Sequence, residues 1–252
     1  MPLLGSTSTP AESAPKGQKK DKKKKPRELP FEEALPAWFA QFADQAEPGK
    51  MDGDGIEKLF DDMGLSMDGA YPLILAWKAG AKPGTFGAFY LNDFERAFRQ
   101  DRIDSSDKLK KFLVQQGKSL LESRAGSKGK TAESIDTDAE EEPDAAFDAA
   151  NEAFRQFYTF LLPFFRAEGA KTLPADTAKA MWSVVLAPKY ELAKGFDQGD
   201  QFKAVSTDLW TQLLDFCETV APDLTGWSED DAWPSAIDAF VEWKKEKEGA
   251  AA

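Results

Sequence analysis

The stretch DLTGWSEDDAWPSAIDAFVEWKK, Asp223 to Lys245, decides how this chain is read. It sets three tryptophans and an acidic loop around an Ala-Trp-Pro turn, then runs into an amphipathic segment. Ile237, Phe240 and Val241 fall at i, i+3 and i+4, the spacing of one apolar helix stripe. Asp238 and Glu242 lie i, i+4 on the neighbouring face. Asp230 or Asp231 can cap this helix, and Pro234 suits its first turn, where an amide hydrogen would have no partner. A short acidic helix joined to a tryptophan-rich turn offers a rigid surface to a basic partner.

Working outward, the same helical rhythm returns. Trp38, Phe39 and Phe42 mark a first helix that ends near Glu47-Pro48-Gly49, with order expected from about Leu29. A second covers Ile56–Met63. Tyr71–Ala79 is the most apolar run, and Pro72 fits the first turn of a buried helix. Phe89 sits in a short extended piece, after which Asn92 or Asp93 can cap a helix holding Phe94, Ala97 and Phe98. A helix over Lys108–Leu121 follows. From Phe147 the aromatic periodicity traces a long helix through Phe154, Phe157, Tyr158, Leu161 and Phe165, with Pro163 expected to end or kink it. Leu173-Pro174-Ala175-Asp176 opens a helix carrying Met181, Trp182, Val185 and Leu186. Thr207 or Asp208 is expected to cap another, with Trp210, Leu213, Leu214 and Phe216 on its apolar face.

Composition changes sharply at two places. Residues 1–29 are rich in Ser, Pro, Gly and Lys, and are read as a disordered basic leader. Its KKDKKKKPR run matches a nuclear-import signal and equally a solubilising tail. Residues 122–146 hold no aromatic and one large aliphatic, Ile135, and are read as a disordered acidic insertion. The expected division is therefore 1–29 leader, 30–121 and 147–247 as two helical halves, 122–146 insertion and 248–252 disordered tail.

The residue inventory narrows the chemistry. The 252 residues carry a net charge of −12 and include no histidine, which removes the commonest general base and metal ligand. The first 30 residues bear a net +5, leaving −17 on the remainder, a balance that disfavours nucleic acid and favours a basic protein partner. Cys217 is the only cysteine; with no histidine to activate it, it reads as a core thiol. No signal-peptide core opens the sequence, and no apolar run approaches the roughly 18 residues of a membrane span. No phosphate-binding glycine loop or dinucleotide fingerprint is present. Asp52, Asp54 and Gly55 resemble part of a calcium loop, but with Gly55 in the glycine position Lys50 falls on the first ligand and Asp61 on the bidentate one. A helix-capping turn explains the stretch better. Neither metal nor cofactor is called for, and a binding role suits the inventory better than an enzyme.

At this point a family resemblance enters. DGAYPLILAWK, DTAKAMW, STDLWTQLLDF and above all EDDAWPSAIDAFVEW resemble the domain shared by the defective-in-cullin-neddylation proteins, the potentiating-neddylation or PONY domain. The resemblance runs from about Leu35 to Lys245. It implies a single elongated all-α domain of EF-hand-like helical pairs that bind no calcium. It implies a non-catalytic ligase component that holds a cullin and the neddylation conjugating enzyme together. By position, Asp208, Ala232 and Asp238 map to the cullin face, with Glu229, Asp230 and Asp231 adding electrostatic steering. Ile56, Pro72, Leu75, Phe89, Phe164, Met181 and Val184 map to an apolar pocket for the conjugating enzyme's acetylated N-terminus, although each is also a plausible core residue. Pro72, Asp68 and Met181 depart from the family's usual residues there. The short basic leader resembles the branch sent to the nucleus, with a share in the cytoplasm. The alternatives are a calcium-responsive sensor or a nuclear adaptor acting through its basic tail and acidic loop.

Overall fold

The computed structural model describes residues 29–83, 87–122, 145–196 and 202–249. The leader up to residue 28, most of the acidic insertion and the last three residues lie outside them. Among the described residues the architecture is all-α: α1 (Phe31–Phe39), α2 (Gly53–Met63), α3 (Tyr71–Ala79), α4 (Leu91–Phe98), α5 (Ser106–Leu121), α6 (Ala145–Phe165), α7 (Ala175–Met181), α8 (Thr207–Thr219) and α9 (Ser235–Gly249). Four two-residue strands join them: β1 (Lys50–Met51), β2 (Phe89–Tyr90), β3 (Leu173–Pro174) and β4 (Ala204–Val205).

Each half of the chain is stitched by one minimal antiparallel ladder. In the first, Lys50 faces Tyr90 and Met51 faces Phe89, so the loop before α2 is tied to the loop before α4. In the second, Leu173 faces Val205 and Pro174 faces Ala204, tying the loop before α7 to the loop before α8. A two-residue ladder is too short to be stable alone. Here it rests on buried Met51 and Phe89 in one half and on buried Leu173 and Val205 in the other.

The first half packs around aromatic rings. Phe94 of α4 meets Phe39, Phe89 and Phe98 edge-to-face at centroid distances of 5.3, 5.5 and 5.2 Å, the arrangement that ring quadrupoles favour. Trp38 donates its indole N–H to Ser106 Oγ at 3.0 Å, which fixes α1 against the start of α5. The second half packs around Tyr158, Trp182 and Trp210, all buried. The halves meet where α3 and α5 lie against α6, with Trp77 on Phe157 at 5.4 Å. Lys189 adds a polar tie, its ammonium donating to the Leu120 carbonyl at 3.2 Å.

Several helix ends differ from the expectation. Ser206, not Thr207 or Asp208, caps α8: its hydroxyl accepts from the Leu209 N–H at 3.1 Å. Neither Asn92 nor Asp93 caps α4, which starts at Leu91, directly on the end of β2 at Tyr90. Asp230 and Asp231 lie too far upstream to cap α9. Pro234 sits just outside that helix, and its carbonyl accepts from the Ile237 and Asp238 amides. Only at α8 does an adjacent polar side chain take the cap; at α4 and α9 the strand end and the proline turn set the helix start. Helix α6 starts at Ala145 and continues past Pro163 to Phe165, where the Arg166 N–H still reaches the Leu162 carbonyl. After α7 the chain widens into a π-helical turn over Trp182–Leu186, with the Ala187 N–H reaching the Trp182 carbonyl five residues back at 2.9 Å. Helical periodicity alone does not signal this turn.

Candidate functional site

The acidic final segment begins where α8 ends. Phe216 receives Trp233 edge-to-face at 5.5 Å and Phe240 at 6.3 Å. Phe240 also packs on Phe196 at 4.9 Å and on Trp243 at 5.8 Å. Ile237, Phe240 and Val241 are fully buried, so the stripe read from the sequence is the face α9 lays on the core. Trp227 and Trp243 each carry a lysine over the ring, Lys245 at 4.0 Å and Lys247 at 4.5 Å. Trp227, Trp233 and Trp243 are therefore partly buried supports for the loop.

On this support the acids face outward. Glu229, Asp230 and Asp231 are exposed, in a turn where Ser228 accepts from the Asp230 and Asp231 amides. Asp208 is exposed in the first turn of α8 and accepts from Gln212 Nε2 at 2.9 Å. Because Ser206 already caps the helix, the Asp208 carboxylate has no capping duty. Ala232 is exposed just before the proline, and Asp238 is half-buried in the first turn of α9. Carboxylates in the first turns of two helices also gain from the positive helix ends. The three expected cullin-face residues thus come from two helix starts and the loop between them.

The seven residues expected to form the apolar pocket are distributed more widely. Pro72 and Leu75 lie on α3, which packs against α6, the carrier of Phe164. Leu75 is fully buried, while Pro72 is half-buried. Ile56 is buried on α2, and Phe89 is buried in β2 against Phe94. Met181 and Val184 flank Trp182 at the π-helical turn, both partly buried against the core. A small cleft beside β2 is lined by Phe89 together with Ala79, Ala81, Tyr90 and Asp93. Of the expected pocket residues Phe89 is the one that lines it.

The calcium-like stretch is used otherwise. Asp52 caps α2, its carboxylate accepting from the Gly55 N–H at 3.1 Å. Lys50 pairs with Glu47 at 3.2 Å. Gly55 is required by packing: a Cβ there would lie 2.0 Å from the Phe42 carbonyl oxygen. Among the described residues no group of three or more acids, cysteines or histidines could hold a metal ion, and no helix is long and apolar enough to cross a membrane. Cys217 is buried as expected, and burial pushes its thiol well above the usual range.

One polar cluster went unread in the sequence. Arg155 of α6 reaches both Asp215, at 2.8 Å, and Glu218 of α8, and Tyr190 donates to Glu218 at 3.3 Å. The two acids lie 60 and 63 residues beyond Arg155 on a different helix, so nothing in the local sequence marks the pairing.

The described residues thus form an all-α fold with exposed acids at the start of α8 and before α9, above partly buried tryptophans. Residues 134–243 match the family described as cullin binding. The chain is 27% identical over 219 residues to DCN1-like protein 4 of Danio rerio and 27% identical over 214 residues to DCN1-like protein 4 of Homo sapiens. Each alignment covers 84% of this chain, but only 65% and 62% of those relatives, so the chain spans less than two thirds of their length. It is also 27% identical over 216 residues to DCN1-like protein 5 of Homo sapiens, covering 83% of this chain and 76% of the relative. Over these spans the chain is similar to the DCN1-like proteins, and its second half matches the cullin-binding family model.

Proposed function

We propose that this chain is a non-catalytic co-ligase for cullin neddylation, which binds a cullin and the neddylation conjugating enzyme at once. The observation that supports the reading is the set of exposed carboxylates Asp208 and Glu229–Asp231, with half-buried Asp238, inside the span matched to the cullin-binding family. A basic cullin segment complements these carboxylates, and the small Ala232 lets it approach closely. Acceleration then needs no reacting side chain here: holding two reactants in a productive orientation converts an encounter into an effectively intramolecular step.

The conjugating enzyme's acetylated N-terminus is the proposed second ligand, taken by the apolar set that includes Phe164, Met181 and Val184. Acetylation removes a charge that would be costly to bury. Nuclear placement through the Lys-rich leader completes the reading. A calcium-sensing role is disfavoured because the Asp52 carboxylate serves as a helix cap and Lys50 stands where a ligand would be needed.

The test is Asp238→Lys in a cullin pull-down, with far-UV circular dichroism as the folding check. Binding should fall at least about tenfold, because a like charge is placed against a basic partner. Undiminished binding by a folded variant would remove Asp238 from the cullin face. For the second surface, calorimetry with acetylated and free-amine N-terminal peptides should favour the acetylated one; equal affinities would refute the pocket.

A further inference from the structure

A buried hydrogen-bond triad links elements that carry residues of the two proposed surfaces, and belongs to neither surface. Tyr158 of α6 accepts from the Trp182 indole N–H at 2.9 Å and donates its own hydroxyl proton to the Trp210 carbonyl at 3.0 Å. Trp210 answers with its indole N–H on the Tyr158 carbonyl at 3.1 Å. The rings stack as well: Tyr158 on Trp210 at 4.5 Å and Trp182 on Trp210 at 5.6 Å. All three side chains are essentially inaccessible to water. A hydroxyl in that setting keeps its proton, and burial does push the Tyr158 phenol well above its usual range.

The placement of the three residues in the chain gives the triad its meaning. Trp182 opens the π-helical turn and is held at both ends, by its indole on Tyr158 and by its carbonyl under the Ala187 amide. Met181 precedes it directly and Val184 follows by two residues. Trp210 sits in the first turns of α8, two residues after Asp208, with its amide bonded to the Ser206 carbonyl of the cap. The turn that presents the proposed conjugating-enzyme contacts and the helix start that presents a proposed cullin contact therefore share one phenolic oxygen.

We infer that Tyr158 is a positioning residue, whose hydroxyl fixes the conjugating-enzyme surface relative to the cullin surface. The inference rests on the co-ligase reading above. A scaffold that works by orientation loses rate when its two docking sites shift relative to each other, even while each still binds. Buried networks with every member paired are also the ones that specify a single arrangement.

The experiment is a reconstituted cullin neddylation reaction titrated with the full chain, reading the plateau rate and the half-saturating concentration separately. Tyr158→Phe keeps the ring and removes the shared oxygen. Trp182→Phe keeps an aromatic ring while removing the N–H side of the link and some buried ring volume, so it serves as a second variant. Both should lower the plateau by roughly tenfold, a fraction of what a misplacement of about 1 Å can cost. Affinities for the cullin and for the acetylated peptide, measured singly, should stay within about twofold of the parent, well below the shift that losing a contact produces. Ile103→Val, a buried change in the other half, should lower the melting temperature and leave the plateau alone. The inference is overturned if the plateau is unchanged in both triad variants, if it falls only as far as the single affinities fall, or if Ile103→Val lowers it equally. If the parent chain gives no acceleration, the co-ligase reading fails and this inference falls with it.

Discussion

Replacing Gly55 with alanine pits two effects against each other. Gly55 lies in the first turn of α2 and has an ordinary helical backbone, so propensity alone predicts a gain of up to about 1 kcal/mol. The structure predicts the opposite. The new Cβ would lie 2.0 Å from the Phe42 carbonyl oxygen and 2.9 Å from Met51 Cγ. The first obstacle is backbone, so no rotamer change relieves it. Reaching even a tight contact of 3.0 Å requires the helix to back away by about 1 Å. Overpacking of a close-packed interior costs typically about 1–3 kcal/mol, and a rigid obstacle belongs at the upper end. The net expectation is a loss of about 2 kcal/mol, or a melting temperature lower by about 4–8 °C. Gly53 provides the control two residues away, because a Cβ there meets nothing within 4 Å. Gly53→Ala should be neutral or stabilising by up to about 1 kcal/mol. Urea unfolding of the two variants measures both. Gly55→Ala as stable as the parent would refute the close approach of α2 to the Phe42 carbonyl.

Two further outcomes follow from buried polar groups. Burial holds Lys189 below its ordinary value of 10.5, so the unfolded chain binds more protons than the folded one between the two values. The parent should therefore gain stability relative to Lys189→Met as pH rises through that window, read by denaturant unfolding at stepped pH. A constant difference would refute the desolvated lysine. Cys217, with its thiol raised by burial, should react with a thiol reagent only after denaturant is added; prompt reaction of the native protein would contradict its buried position.

What is legible in the sequence depends on the kind of force that fixes each feature. Tyr71–Ala79 was placed to the residue, because Pro72 and Gly80 bracket a continuous apolar run. The Ile237, Phe240, Val241 stripe was equally plain, since helical spacing encodes it directly. The cap of α8 falls to Ser206 because neighbouring hydroxyl and carboxylate residues are chemically interchangeable there, whereas α4 starts directly on a strand end with no side-chain cap and α9 starts just after Pro234. The ladders were half-seen: Phe89 looked extended, but its partner Met51 lies 38 residues away and nothing local marks it. The Tyr158 triad was invisible for the same reason. Its members appeared only as apolar periodicity, and their polar atoms meet across separations of 24 and 52 residues. At the acidic face, the residue types were legible; which carboxylate was already engaged was not.

The distribution of tryptophans has a practical consequence. Of the seven, Trp38 and Trp77 belong to the first half, and Trp182, Trp210, Trp227, Trp233 and Trp243 to the second. Intrinsic emission is thus weighted toward one half, whereas far-UV ellipticity samples helices in both. The seam of α3 and α5 against α6, tightened by Lys189 on Leu120, is what would make the two signals change together. Coincident melts by the two probes mean that the seam welds the halves into one cooperative unit. An ellipticity loss that precedes the emission change means that the first half melts on its own.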